Sequence, residues 1–160
     1  MLVVLTLAIL FVRPAPPLLK AGVPAPAIRL RDATGSLVAA VPSSGHRPVV
    51  VAFFEIRCTT CQDKAADLCR LATSHPDVSV VAVDSGEGDA RAARTFAQNH
   101  IGSCPVPFLL DPDLTVSRRY AAVVVPVVYV VDSNGNIAYG GAGGAALDTV
   151  SRHIPSSTGG

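Results

Sequence analysis

The chain has 160 residues, of which 49% are apolar and 16% charged, and its net charge is +1. That length accommodates one domain plus a short extra segment, and the apolar content is too high for a disordered chain. A near-neutral balance with no basic stripe excludes a nucleic-acid-binding role, and the absence of Trp leaves the core to Val, Leu and Ala.

Residues 2–12 are apolar apart from Thr6. Such a run has the length of a signal-peptide core and is too short to span a bilayer, which takes roughly 20 residues. No positive stretch precedes it and no clean A-x-A site follows. Two readings stand: an export signal or membrane anchor whose start lies upstream, or a fused buried strand. Its position and polarity favour export or anchoring, outside the cytoplasm of a bacterium. No cysteine directly follows the run, which excludes a lipid-modified one. Residues 13–26 carry five prolines and read as an extended linker. The expected organisation is a signal or anchor with its linker over 1–20, a domain over 21–155 and a flexible tail over 156–160.

Residues 27–41 place Ile28, Leu30, Leu37 and Val38 around the turn Asp32-Ala33-Thr34-Gly35, a short hairpin. Residues 48–54 are a continuous apolar run of strand length, suited to a central strand buried on both faces. Apolar positions 61, 65, 68, 69, 71 and 72 have helical spacing, stopped by Pro76. A strand follows over 78–83, a helix over 89–100, a short strand over 108–110 and a short helix over 114–121. Residues 127–131 and 137–139 form a hairpin around Asp132-Ser133-Asn134-Gly135, and a last helix covers 145–153. Strands and helices that alternate, then a terminal hairpin and helix, predict an α/β sandwich with a mixed central sheet.

Between the central strand and the first helix stands Cys58-Thr59-Thr60-Cys61. A C-x-x-C there puts the first thiol at a helix N-terminus, where unpaired N–H groups and the helix dipole favour the thiolate. The second thiol lies one turn later, placed to attack a mixed disulfide formed by the first. The spacing alone also suits half of a zinc site, and Cys58, Cys61, Cys69 and His75 make a conceivable quartet. Cys69 and His75 would project from a helix leading away from the motif, so the redox reading is preferred and no metal is expected.

Residues 21–155 resemble the thioredoxin superfamily, nearest to its redoxin (AhpC/TSA and TlpA-like) branch. The resemblance rests on Gly22-Val23-Pro24-Ala25-Pro26 with Leu30-Arg31-Asp32-Ala33-Thr34-Gly35, on Val51-Ala52-Phe53-Phe54 ahead of Cys58, on Val125-Pro126 before a strand, and on Asp132-Ser133-Asn134-Gly135-Asn136-Ile137. It implies a three-layer sandwich, helices flanking the mixed sheet, and a thiol–disulfide oxidoreductase. Cys58 would attack, Cys61 would resolve, and Pro126 would face the pair across a cis bond. Arg57, Thr59, Thr60 and the Val125 backbone would meet an extended substrate segment. The redox-active Cys58–Cys61 disulfide would be the only redox group, with no separate cofactor. The implied partners are a protein thiol or disulfide and an upstream thiol electron donor or acceptor, met by a monomer with a possible membrane tether.

Departures from the family pattern are informative too. Arg57 replaces the Trp usual before the first cysteine and adds a positive charge near the thiolate, with Glu55 partly opposing it. Ala52 stands at a buried acid or Asn position, and Lys64 where some relatives carry Glu, which leaves the proton acceptor for Cys61 unassigned. A peroxidase of the same fold is the rival enzyme. Its P-x-x-x-[TS]-x-x-C motif is missing, since Val51 and Glu55 occupy the Pro and hydroxyl positions relative to Cys58. A third reading is a non-catalytic binding module whose cysteines are structural.

Cys69, on the apolar helix face, reads first as a small buried hydrophobe, with a structural bridge to Cys104 as the alternative. Residues 141–146 fit G-x-G-x-x-A but lack the rest of a dinucleotide-binding unit, and read as a flexible turn. Asp84-Ser85-Gly86-Glu87 has too few oxygen ligands for a calcium loop.

Overall fold

The computed structural model describes residues 14–43 and 46–155, so the apolar run at 2–12 and the tail at 156–160 lie outside the described residues. Among the described residues seven strands form one mixed sheet: β1 (Ile28–Asp32), β2 (Leu37–Val41), β3 (Val49–Phe54), β4 (Ser79–Ser85), β5 (Phe108–Asp111), β6 (Val127–Val131) and β7 (Ile137–Ala142), in the order β2-β1-β5-β4-β3-β6-β7. The helices are α1 (Thr59–Ser74), α2 (Ala90–Phe96), α3 (Thr115–Arg119) and α4 (Gly144–Thr149).

Every residue of β3 is buried, because the strand is covered on both faces and paired on both edges. Its even-numbered residues Val50, Ala52 and Phe54 pack with Cys61, Ala65, Leu68 and Leu71 of α1, Ala93 and Phe96 of α2, and Ala146 and Leu147 of α4. Its odd-numbered residues Val49, Val51 and Phe53 face Val116, Tyr120, Ile28 and Val41. The period of two along one strand thus builds both cores, and full burial of each Val or Phe is worth roughly 1.5–3 kcal/mol. The arrangement is a thioredoxin-like three-layer α/β sandwich.

Several boundaries differ from the sequence reading. The helix expected over 89–100 is α-helical only to Phe96 and closes with a π-turn, Ala97–Ile101, before Gly102 at φ 97°. The last helix starts at Gly144 and ends in a 3₁₀ turn, Val150–His153. Strand β7 runs on to Ala142 rather than stopping at 139, so Gly141 and Ala142 of the expected flexible turn, and Gly140 before them, are strand residues. Packing explains both glycines. A Cβ on Gly140 would stand 2.6 Å from the Tyr129 ring, and one on Gly141 would stand 2.7 Å from Ala146.

The Pro-rich segment is not a free tether. Leu18 and Leu19 pack against the Tyr120/Tyr129 core, and the Leu19 N–H donates to the Tyr129 hydroxyl at 3.1 Å. Tyr129 donates in turn to the Tyr120 carbonyl at 2.6 Å, and Tyr120 to the Pro26 carbonyl at 2.6 Å.

Candidate active site

Parallel β3 delivers the chain to the C-terminal end of the sheet, where Glu55, Ile56 and Arg57 turn it into α1. Cys58 is the N-cap of that helix, in extended conformation, and its Sγ accepts the Cys61 N–H at 3.1 Å. Its carbonyl takes the next helical bond, from the Gln62 N–H at 3.0 Å. The first cysteine therefore occupies the position where a helix offers unpaired donors. Cys58 is half-buried and Cys61 is 0% exposed. The two are joined as a disulfide with Cα atoms 5.1 Å apart.

Around the pair the expected residues fall into two groups. Arg57 and Val125 line one cleft of about 400 Å³, together with Ile56, Glu87, Leu114 and Val123. Val123 and Val124 leave the protein surface strongly exposed, at 48% and 64%. The Val125–Pro126 bond is cis, Pro126 is buried, and its carbonyl accepts the Gly143 N–H at 2.8 Å. Val41–Pro42 is a second cis bond, which the sequence reading did not single out. Thr59 and Thr60 are exposed on the first turn of α1, and a Cβ on Gly144 would lie 3.3 Å from the Thr60 methyl. Thr60 thus borders the β7–α4 turn rather than the Arg57 cleft.

Cys69 is not the free buried hydrophobe that its helix face suggested. It is half-buried and bonded to Cys104, whose loop is carried across α1 by the π-turn. That pairing also dissolves the zinc quartet, because Cys69 is committed elsewhere. Lys64 is tied to α4 through the Asp148 carboxylate at 2.5 Å, and that hydrogen bond raises its pKa. Glu87 Oε1 accepts the Gly88 and Asp89 N–H groups at 2.9 and 2.7 Å, so the loop after β4 is closed by its own backbone.

One ionisable residue of this region was invisible as such in the sequence. Asp84, near the end of β4, is 0% exposed, and neither carboxylate oxygen has a hydrogen-bond partner. Burial pushes its carboxyl up to about 7, helped by the charges of Glu87 and Glu55; the Ile56 N–H opposes the shift without hydrogen-bond geometry. In sequence it reads only as the residue that stops an apolar strand.

Fold and site define a thioredoxin-like protein with a C-x-x-C cysteine pair at the helix start. A match over residues 21–140 to the AhpC/TSA family places the chain in that family, and the chain belongs to it. No curated protein matches it. Among solved structures it is similar to DsbF of Mycobacterium tuberculosis (24% identity, TM-score 0.70, covering 79% of this chain and 92% of that one). It is also similar to a secreted M. tuberculosis disulfide oxidoreductase homologous to E. coli DsbE (18%, TM-score 0.67, 79% and 93%). A third is the thioredoxin domain of a Bacteroides vulgatus thiol-disulfide oxidoreductase (22%, TM-score 0.71, 86% and 99%). At these identities the likeness is one of fold.

Proposed function

We propose that the protein is a thiol–disulfide oxidoreductase that exchanges protein disulfides outside the cytoplasm. The observation that carries the reading is the asymmetry of the pair: a half-buried Cys58 at the N-cap of α1 and a fully buried Cys61 bonded to it. In the reduced protein the Cys58 thiolate, held by the Cys61 N–H and the helix dipole, attacks one sulfur of a substrate disulfide. The substrate's other sulfur leaves as a thiolate. Cys61 then loses its proton and attacks Cys58 Sγ, which expels the second substrate sulfur. Two electrons have passed from the cysteine pair to the substrate disulfide, and the reverse sequence oxidises a dithiol. The chemistry needs no metal, haem or nucleotide.

The cleft shared by Arg57 and Val125, lined also by the exposed Val123 and by Glu55 and Glu87, suits an extended segment of a protein substrate, met by a monomer. The secreted disulfide oxidoreductase among the similar structures supports an exported location, and the apolar run at 2–12 is its proposed signal or tether. Peroxide reduction is disfavoured because the position of the peroxide-orienting hydroxyl holds the exposed carboxylate of Glu55. Insulin reduction run beside peroxide turnover tests the reading: disulfide exchange without peroxidase turnover supports it. Peroxide turnover faster than exchange favours the peroxidase, and neither activity favours a binding module.

A further inference from the structure

Asp84 stands in register with Phe54, the last residue of β3, in the parallel pair that feeds the cysteine loop. Residues in register share a face of the sheet, so the Asp84 side chain belongs to the face on which Phe54, Ala82 and Cys61 pack. Ile56 and Cys58, from the loop that follows Phe54, pack against that same cluster. The carboxyl is thus enclosed on the cysteine side of the sheet, at the end where the loop crosses.

Asp111 differs in its surroundings. That residue is also buried, but its carboxylate accepts the Val116 N–H at 3.2 Å, the Ser117 N–H at 2.7 Å and the Ser117 hydroxyl at 2.7 Å. Asp111 caps α3 and its burial is compensated. Asp84 has no such compensation, and an unpaired buried carboxyl opposes folding. Packing gives no reason for an acid there. Chemistry beside it does.

The groups facing Asp84 can be named element by element. Glu55 and the Ile56 N–H come from the loop after β3, and Glu87 from the loop after β4. On the same face of the sheet, Cys61 of α1 and Ala93 and Phe96 of α2 belong to the cluster against which Cys58 packs, while Asp89, Arg91 and Arg94 are exposed, Arg94 donating to the Ala33 carbonyl. From β5, Leu110 is its neighbour in register, and Asp111 lies on the opposite face.

Resting on the thiol–disulfide reading, we propose that Asp84 is the buried acid–base group of the dithiol site, taking the Cys61 proton when that thiol resolves the mixed disulfide. The Cys61–Cys58 bond forms as the bond from Cys58 to the substrate sulfur breaks. The substrate leaves with the electron pair as a thiolate and recovers the proton from Asp84. An acid titrating near neutrality is matched to this transfer. Because thiolate and carboxylate repel, their titrations are also coupled.

Two measurements on the full chain test this. Carboxyl-carbon NMR of the wild-type protein, chemically reduced and then oxidised, reads the Asp84 titration in both states. Its midpoint should be higher in the reduced state, by on the order of one pH unit. Asp84→Asn should slow insulin reduction by on the order of 100-fold at pH 7 and remove the inflection near that pH from the rate profile. Equal midpoints in the two redox states, or an Asn variant with the wild-type profile, overturn the proposal. A wild-type protein without insulin activity would defeat the exchange reading instead, and the redox dependence of the Asp84 midpoint would still be read.

Discussion

The backbone N–H of Cys61 points at Cys58 Sγ across 3.1 Å, so the second cysteine's own peptide group serves the first cysteine's sulfur. A hydrogen bond to the charged form, added to the start of a 16-residue helix, lowers a thiol pKa. In the reduced protein Cys58 should titrate below the free value of about 8.5, and Cys61, fully buried, should alkylate far more slowly. Alkylation rate against pH on single-cysteine variants checks both. Faster reaction at Cys61, or a Cys58 midpoint above the free value, contradicts the assignment.

Asp84 makes stability depend on pH with a definite sign. Its carboxyl is raised from 3.8 to about 7, so between those values the folded protein holds a proton that the unfolded chain has lost. Its contribution is fully present below 3.8 and is lost as the pH climbs through about 7. Asp84→Asn should flatten the fall in stability over that window, with a gain above neutrality of on the order of 2 kcal/mol. Urea titrations of the oxidised protein across the pH range provide the check, and a variant with the same slope would contradict it.

The Cys69–Cys104 bridge closes a span of 35 residues between α1 and the loop before β5. A cross-link of that span is worth about 3–4 kcal/mol against the unfolded chain. Replacing both cysteines by Ala should lower the urea midpoint accordingly and leave insulin reduction at Cys58/Cys61 within about twofold, because Cys61 and Cys69 stand about 12 Å apart along α1. Loss of exchange activity in a folded double variant would make the second bridge part of the redox path.

A chain starting at Ala21 should be less stable than one starting at Pro14. The difference is the half-buried pair Leu18 and Leu19, together with the hydrogen bond from Leu19 to Tyr129, on the order of 1–3 kcal/mol. Equal urea midpoints would show that the segment contributes nothing.

The parts of this molecule that were legible in its sequence are those with local signatures. The unbroken apolar run of β3, the C-x-x-C directly after it, and the hairpin turn at Asp132-Ser133-Asn134-Gly135 declare themselves within a few residues of chain. What was illegible depends on partners distant in sequence. Gly141 looks like part of a turn until Ala146 is set against it. Leu18 and Leu19 look like linker until the two tyrosines receive them, and Cys69 shows its partner only once the π-turn brings Cys104 across α1. Asp84 ends an apolar strand, as soluble residues often do. Only the register with Phe54 and the loop closing over it reveal that this one is sealed inside.

The central claim is the division of labour between Cys58 as attacking thiol and Cys61 as resolving thiol. Trapping with a disulfide-bonded protein substrate tests it most directly, read by non-reducing electrophoresis and mass spectrometry. Cys61→Ser should accumulate a covalent adduct through Cys58, because nothing remains to resolve it, and Cys58→Ser should accumulate none. An adduct that forms through Cys61 in the Cys58→Ser variant, or an absence of adduct in both, would contradict the account.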